Sequence, residues 1–313
     1  MSKKLKFGST VIPFTGWGVN PRQPGEERER HFQAVRRVVE ELNLHVVELS
    51  LDFGLLYPRV MDAAFYRRVA ALQRELGFAC TVHLPFLWVD LTSLNELVRQ
   101  ASVESVRQAV ELAQPFQVET YVLHLWGSTT TQITRVITDE VLQRNLLTAV
   151  LHQADRSLAE ICALVEPRAL CIENLEALPF DLVVPLLERH GTGICLDVGH
   201  LAWQGGGELA FLERHGEWVR EIHLHDAVPP SPDQGKRARD HLPLGQGELD
   251  HEALLHKLGE IGFDGCVIVE NNNEADLKES LKKLQLWLTG EVIGEQEAVS
   301  YTHLRAHETV LDL

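Results

Sequence analysis

Eight short runs of β-branched and other apolar residues alternate with eight longer amphipathic stretches along this chain, and no linker interrupts the series. The strand-like runs fall at 5–11, 45–51, 78–84, 120–126, 169–174, 193–198, 219–225 and 265–271. The helical patterns fall at 29–42, 62–76, 95–113, 138–164, 181–189, 209–217, 251–261 and 274–288. Strict alternation of this kind marks βαβ units and a parallel sheet. Eight units is the number that closes into a (β/α)8 TIM barrel, for which roughly 250 residues is typical. We therefore expect a single barrel domain over 1–290, followed by a tail at 291–313. The end of that tail, 299–313, reads as translated adapter sequence rather than native protein and is set aside with His303 and His307.

Three long connections follow strands, at 15–28, 126–137 and 227–249. In a barrel such connections lie on the face where sites are built, so they are candidate lids. Composition narrows the partners. The formal net charge is -16, from 45 acidic and 29 basic residues, and no basic run persists. A duplex-binding protein must neutralise phosphates with Lys and Arg, so nucleic acid is disfavoured as the main partner. No run approaches the roughly 20 apolar residues of a membrane span, and the charged start lacks the apolar core of a signal peptide, so a cytoplasmic location is expected. The cysteines, Cys80, Cys162, Cys171, Cys195 and Cys266, are odd in number and form no CxxC pair, which predicts reduced, mostly buried thiols.

Chemistry concentrates at one kind of place, the carboxyl end of successive strands. His83 ends Thr81-Val-His-Leu-Pro85, His124 ends Tyr121-Val-Leu-His-Leu125, and Glu173 ends Cys171-Ile-Glu-Asn-Leu175. Asp197 and His200 close Cys195-Leu-Asp-Val-Gly-His200, His223 lies in Glu221-Ile-His-Leu-His-Asp226, and Glu270 ends Val267-Ile-Val-Glu-Asn271. His241 follows in the last long loop, within Arg239-Asp-His-Leu-Pro-Leu244. One histidine at one strand end is usually a core residue, and one carboxylate before a helix is usually an N-cap. Six strands ending this way together would bury polar groups at a cost of several kcal/mol unless something satisfies them. A divalent ion does so most simply. Imidazole and carboxylate donors without thiolate suit Zn²⁺, Mn²⁺ or Fe²⁺.

On these residues the chain resembles, over about 5–288, the xylose-isomerase-like TIM barrels, which include the family-2 apurinic endonucleases and the sugar-phosphate isomerases and epimerases. The resemblance implies that Glu173, Asp197, His223 and Glu270 hold one ion common to both branches. His83 and His124 match the pair that, with Glu173 bridging, holds a second ion in the endonuclease branch. His200 and His241 match two of that branch's three ligands for a third ion. The third position, two residues before the loop histidine, is here Arg239, with Asp240 adjacent. The resemblance thus predicts two ions, with Arg239, His200 and His241 as contacts for a phosphate.

Two reactions compete. Two ions are the usual device for attack on a phosphodiester, and His83 with His124 favours this. Isomerisation or epimerisation of a sugar or sugar phosphate needs one ion and flanking carboxylates such as Glu173 and Glu270 to move the proton. The hydrolytic reading assigns catalysis to Glu173, Glu270, His200 and Arg239, on a small-molecule phosphodiester. Within it, the Arg-Asp-His run and the strand-end motifs are similar to cobamide-remodelling phosphodiesterases, which cleave the nucleotide loop of corrinoids. A non-catalytic metal-binding barrel is the remaining alternative. Smaller expectations concern Glu48, as an acceptor behind a ligating histidine or as core polarity, and His225, in a non-ligand role. Trp17, Trp88, Trp126 and Trp203 either line a pocket or pack.

Overall fold

The computed structural model describes residues 5–231 and 237–289, so the tail and part of the last long loop lie outside the described residues. The expected barrel forms. Its strands are β1 (Lys6–Thr10), β2 (Val46–Ser50), β3 (Ala79–His83), β4 (Val118–Leu123), β5 (Leu170–Glu173), β6 (Gly193–Asp197), β7 (Val219–Leu224) and β10 (Cys266–Val269). They close in the order β1-β10-β7-β6-β5-β4-β3-β2, with helices between them. Two short strands, β8 (Asp226–Val228) and β9 (Arg239–Leu242), pair antiparallel within the last long connection.

The chain packs as two compact units. One comprises Val19–Arg28 and Leu49–Cys195, and the other the described parts of Met1–Gly18, Glu29–Glu48 and Leu196–Leu313. In the former, β3 pairs with β4, β4 with β5, and β5 with β6, all parallel. Val122, Cys171 and Cys195 are fully buried together there, as continuous apolar runs in a parallel sheet should be. In the latter, β1 pairs with β10 and β2, and β10 pairs with β7.

Side-chain caps start several of the helices. Asp62 caps Ala63–Leu76 by accepting the Phe65 N–H at 2.9 Å, and Asn95 caps Glu96–Ala113 through the Leu97 N–H at 3.1 Å. Gly77 ends the first of these in the left-handed region at φ 73°. The connection expected at 126–137 is instead mostly helix, Ser128–Val136. Its run of threonines is a poor helix former, and the helix is started from outside. The Asp90 carboxylate accepts the Thr129 N–H at 2.8 Å and the Ser128 hydroxyl at 3.1 Å. Gly127 is required there, since a Cβ would lie 2.6 Å from the Asp90 carboxyl carbon.

Candidate metal centres

Register explains the first group. Leu123 pairs with Ile172, so the next residues, His124 and Glu173, fall side by side at the strand ends. His83 pairs with Val122, two residues before His124, and so shares its face. The result is that Nε2 of His124 lies 2.7 Å and Nε2 of His83 3.4 Å from the same Glu173 Oε2. The Nδ1 of His83 is 3.0 Å from the Leu84 carbonyl, which can only accept, so Nδ1 carries a proton and Nε2 is the ring nitrogen turned to the carboxylate. Two imidazole nitrogens and one carboxylate oxygen, all within 4.8 Å, form a donor set that could hold a metal ion.

A residue not singled out in the sequence supports this group. Asp52, 2 % exposed, accepts the backbone N–H of Leu87 at 3.0 Å and of Phe86 at 3.3 Å. Burial raises its pKa, while His83 and the two N–H bonds pull the other way. Through these bonds it fixes Phe86, whose ring packs 5.0 Å from His83 and 4.6 Å from His124. Asp52→Ala is therefore expected to weaken divalent-ion binding by the His83 group about 10–100-fold, the usual cost of losing a supporting partner. Calorimetric titration with Mn²⁺ measures this, and an unchanged affinity would remove Asp52 from the role.

The second group belongs to the other unit. Ile268 pairs with His223 on neighbouring strands, and Glu270 lies two residues past Ile268. His223 Nδ1 is 3.6 Å from Glu270 Oε2 and 3.9 Å from Asp197 Oδ2, while its Nε2 is 3.4 Å from Glu48 Oε2. His223 thus sits among three carboxylates, with Nε2 toward Glu48 and Nδ1 toward Asp197 and Glu270, an arrangement compatible with a ligating histidine backed by Glu48. Burial alone would raise the Glu270 carboxyl, but the neighbouring His223 and His241 rings outweigh it and hold the pKa lowered.

Asp197 serves two purposes. Its Oδ1 accepts the His200 N–H at 2.6 Å and starts the helix Val198–Trp203, while Oδ2 faces the histidines. His200 lies in that helix with its Nε2 3.9 Å from Asp197 Oδ2. His241 reaches Glu270 with Nε2 at 3.6 Å and Asp240 with Nδ1 at 3.3 Å. Burial lowers the His241 pKa, but the bonds to Asp240 and Glu270 prevail and leave it raised to about 11. It is a cation at neutral pH.

Arg239 and Asp240 occupy different places from those their order suggests. His241 adopts φ 52°, in the left-handed region, and this turns the strand locally. Asp240 thereby meets His241, and its carboxylate comes within 4.8 Å of a His200 ring nitrogen. Arg239 is exposed and lines an open cavity of about 540 Å³ with Arg237, Gln246 and Gly247. Of the tryptophans, Trp126 is buried and packs, whereas Trp88 is 85 % exposed.

Among the described residues no helix is long and apolar enough to cross a membrane. Fold and site together define the class, a parallel TIM barrel whose strand ends gather histidines and carboxylates in groups that could hold a metal ion. The chain belongs to the xylose isomerase-like TIM barrel family, whose model matches residues 36–289. It is 30 % identical over 237 residues to the uncharacterized protein MJ1311 of Methanocaldococcus jannaschii, spanning 69 % of this chain and 72 % of that one. Among solved structures it is similar to a D-tagatose 3-epimerase-like protein, at TM-score 0.70 and 23 % identity, covering 91 % of this chain and 97 % of that one. It is also similar to the D-psicose 3-epimerase of Clostridium cellulolyticum H10, at TM-score 0.65 and 13 % identity, covering 90 % and 98 %. These structures share the fold. Their names lie on the isomerase and epimerase side of the two reactions weighed above, and neither names a phosphodiesterase.

Proposed function

We propose that the chain is a divalent-metal-dependent hydrolase acting on a phosphodiester in a small molecule. The observation that carries this reading is the His83, His124 and Glu173 group. Sugar epimerisation needs one ion, and Asp197, His223 and Glu270 already supply a donor set for it in one unit. A complete second set in the other unit has no use in that chemistry. It has one in phosphodiester cleavage, where divalent ions make water a nucleophile near neutral pH and offset the charge that grows on the phosphate oxygens. The chain's own groups do the rest. His83, His124 and Glu173 would hold one ion, and Asp197, His223 and Glu270 would hold another. The His241 cation and His200 bind the phosphate, and the exposed Arg239 guides the anion in from the rim. The strand-end motifs and the Arg-Asp-His run support the nucleotide loop of a corrinoid as the diester.

A second reading, a sugar or sugar-phosphate isomerase or epimerase with one ion, is favoured by the named structural relatives. Shared fold at such low identity does not carry a reaction, which is set by the site. The purified protein is expected to hold about two divalent ions per chain and to cleave bis(p-nitrophenyl) phosphate or a cobamide. One ion per chain together with interconversion of a ketose would establish the second reading instead. Arg239→Ala is expected to raise KM several-fold with little change in kcat, since an exposed guanidinium contributes to capture rather than to the transition state. An equal fall in kcat and kcat/KM would move Arg239 from the rim to the reacting phosphate.

A further inference from the structure

We infer that His225 is a positioning residue for Asp197, a histidine whose ring holds a metal-binding carboxylate in place. The inference rests on the reading of Asp197 as a ligand. His225 is fully buried, and the backbone N–H of His241 points at its Nδ1 from 2.8 Å. An amide N–H can only donate, and the Asp226 carbonyl, an acceptor, lies farther from Nδ1 at 3.3 Å, so the closer contact makes Nδ1 the acceptor and leaves the Nε2 proton for Asp197. That nitrogen lies 3.1 Å from Asp197 Oδ2. The His200 N–H holds the other oxygen at 2.6 Å. A carboxylate gripped at both oxygens cannot rotate, so the lone pairs left on Oδ2 keep their aim toward His223.

The ring has been given its space by one residue. A Cβ on Gly199 would lie 1.9 Å from His225 Cε1, 2.7 Å from Nδ1 and 2.8 Å from Nε2. On its other side the ring is stacked under His241, with centroids 4.2 Å apart and planes 11° from parallel. Position 199 must therefore be glycine for His225 to reach Asp197. The same ring ties the backbone of β9 to the ligand, because its Nδ1 takes the His241 N–H. The usual arrangement, an outer carboxylate orienting a ligating histidine, is here reversed.

The test is Mn²⁺ binding, followed by the electron paramagnetic resonance signal of the free ion, with thermal melting as a control for folding. Asp197→Ala should remove one binding event. His225→Phe, which keeps a flat stacked ring, and Gly199→Ala, which alters no polar group, should each weaken that event about 10–100-fold. His225→Gln, which keeps an N–H for Asp197, should stay within a few-fold of the unsubstituted protein. If Asp197→Ala loses the event but His225→Phe and Gly199→Ala keep it, the inference fails alone. If His225→Gln is as weak as His225→Phe, the ring acts by packing and the inference also fails. If Asp197→Ala binds normally, the ligand reading falls and the inference falls with it.

Discussion

Replacing His83 by alanine is expected to lower phosphodiester cleavage about a thousandfold while leaving about one divalent ion bound per chain. The size follows from what the ion does. Lewis-acid stabilisation of phosphoryl oxygens is worth several kcal/mol, and each 1.36 kcal/mol is a factor of about ten in rate. The selectivity follows from the donor sets. His83, His124 and Glu173 are the fewest donors that could hold an ion there, and without His83 the remaining pair satisfies itself, since His124 Nε2 already sits 2.7 Å from Glu173 Oε2. Asp197, His223 and Glu270 do not involve His83 and keep their own ion. Metal analysis of the variant, with single-turnover cleavage of the diester, reads both halves. Cleavage at the original rate would defeat the two-ion reading. Epimerisation of a ketose at an unchanged rate would show that the second group has another purpose.

The strand ends that carry these residues were legible because a strand announces itself by its apolar run, and the first imidazole or carboxylate after the run marks its end. His83, His124, Glu173, Asp197 and Glu270 follow that rule, whereas His223 lies inside its strand, after Glu221 and before Leu224. What the rule cannot give is anything fixed by a partner far away in the chain. The helix Ser128–Val136 depends on Asp90, and its own threonines argue against it. Asp52 acts on His83 and His124 only through the loop after β3. That Arg239 lines an open cavity while Asp240 meets the His241 and His200 rings, beside a left-handed residue at His241, is signalled by no side-chain pattern. Asp197 shows the limit differently. Reading it as a helix cap and reading it as a ligand looked like alternatives, yet the cap uses only Oδ1 and leaves Oδ2 facing the histidines.

Asp226→Ala is expected to cost about 3–5 kcal/mol of stability, because it leaves the N–H groups of Ala227, Gly245 and Leu249 without their acceptor at about 1–3 kcal/mol each. The residue is fully buried. Its Oδ1 accepts the N–H of Ala227 at 2.8 Å and of Leu249 at 3.3 Å, its Oδ2 that of Gly245 at 2.8 Å, and His251 Nε2 approaches to 3.5 Å. The backbone wraps it closely enough that a Cβ on Gly247 would lie 2.2 Å from Oδ1. Burial by itself raises the pKa, but the His251 ring and the N–H groups outweigh it and leave it lowered to about 2. A carboxyl lowered below its unfolded value of about 3.9 stabilises the fold fully above that value and loses the contribution as pH falls toward 2. The full contribution is roughly 2–3 kcal/mol at about 1.4 kcal/mol per unit. Asp226→Asn keeps the shape and cannot ionise, so its stability deficit, measured by urea unfolding, should be largest at pH 7 and shrink by pH 3. A deficit that stays constant across that range would mean that the charge of Asp226 contributes nothing. Since the connection that Asp226 secures leads to β9 with Asp240 and His241, its loss should also weaken substrate capture before the barrel itself unfolds.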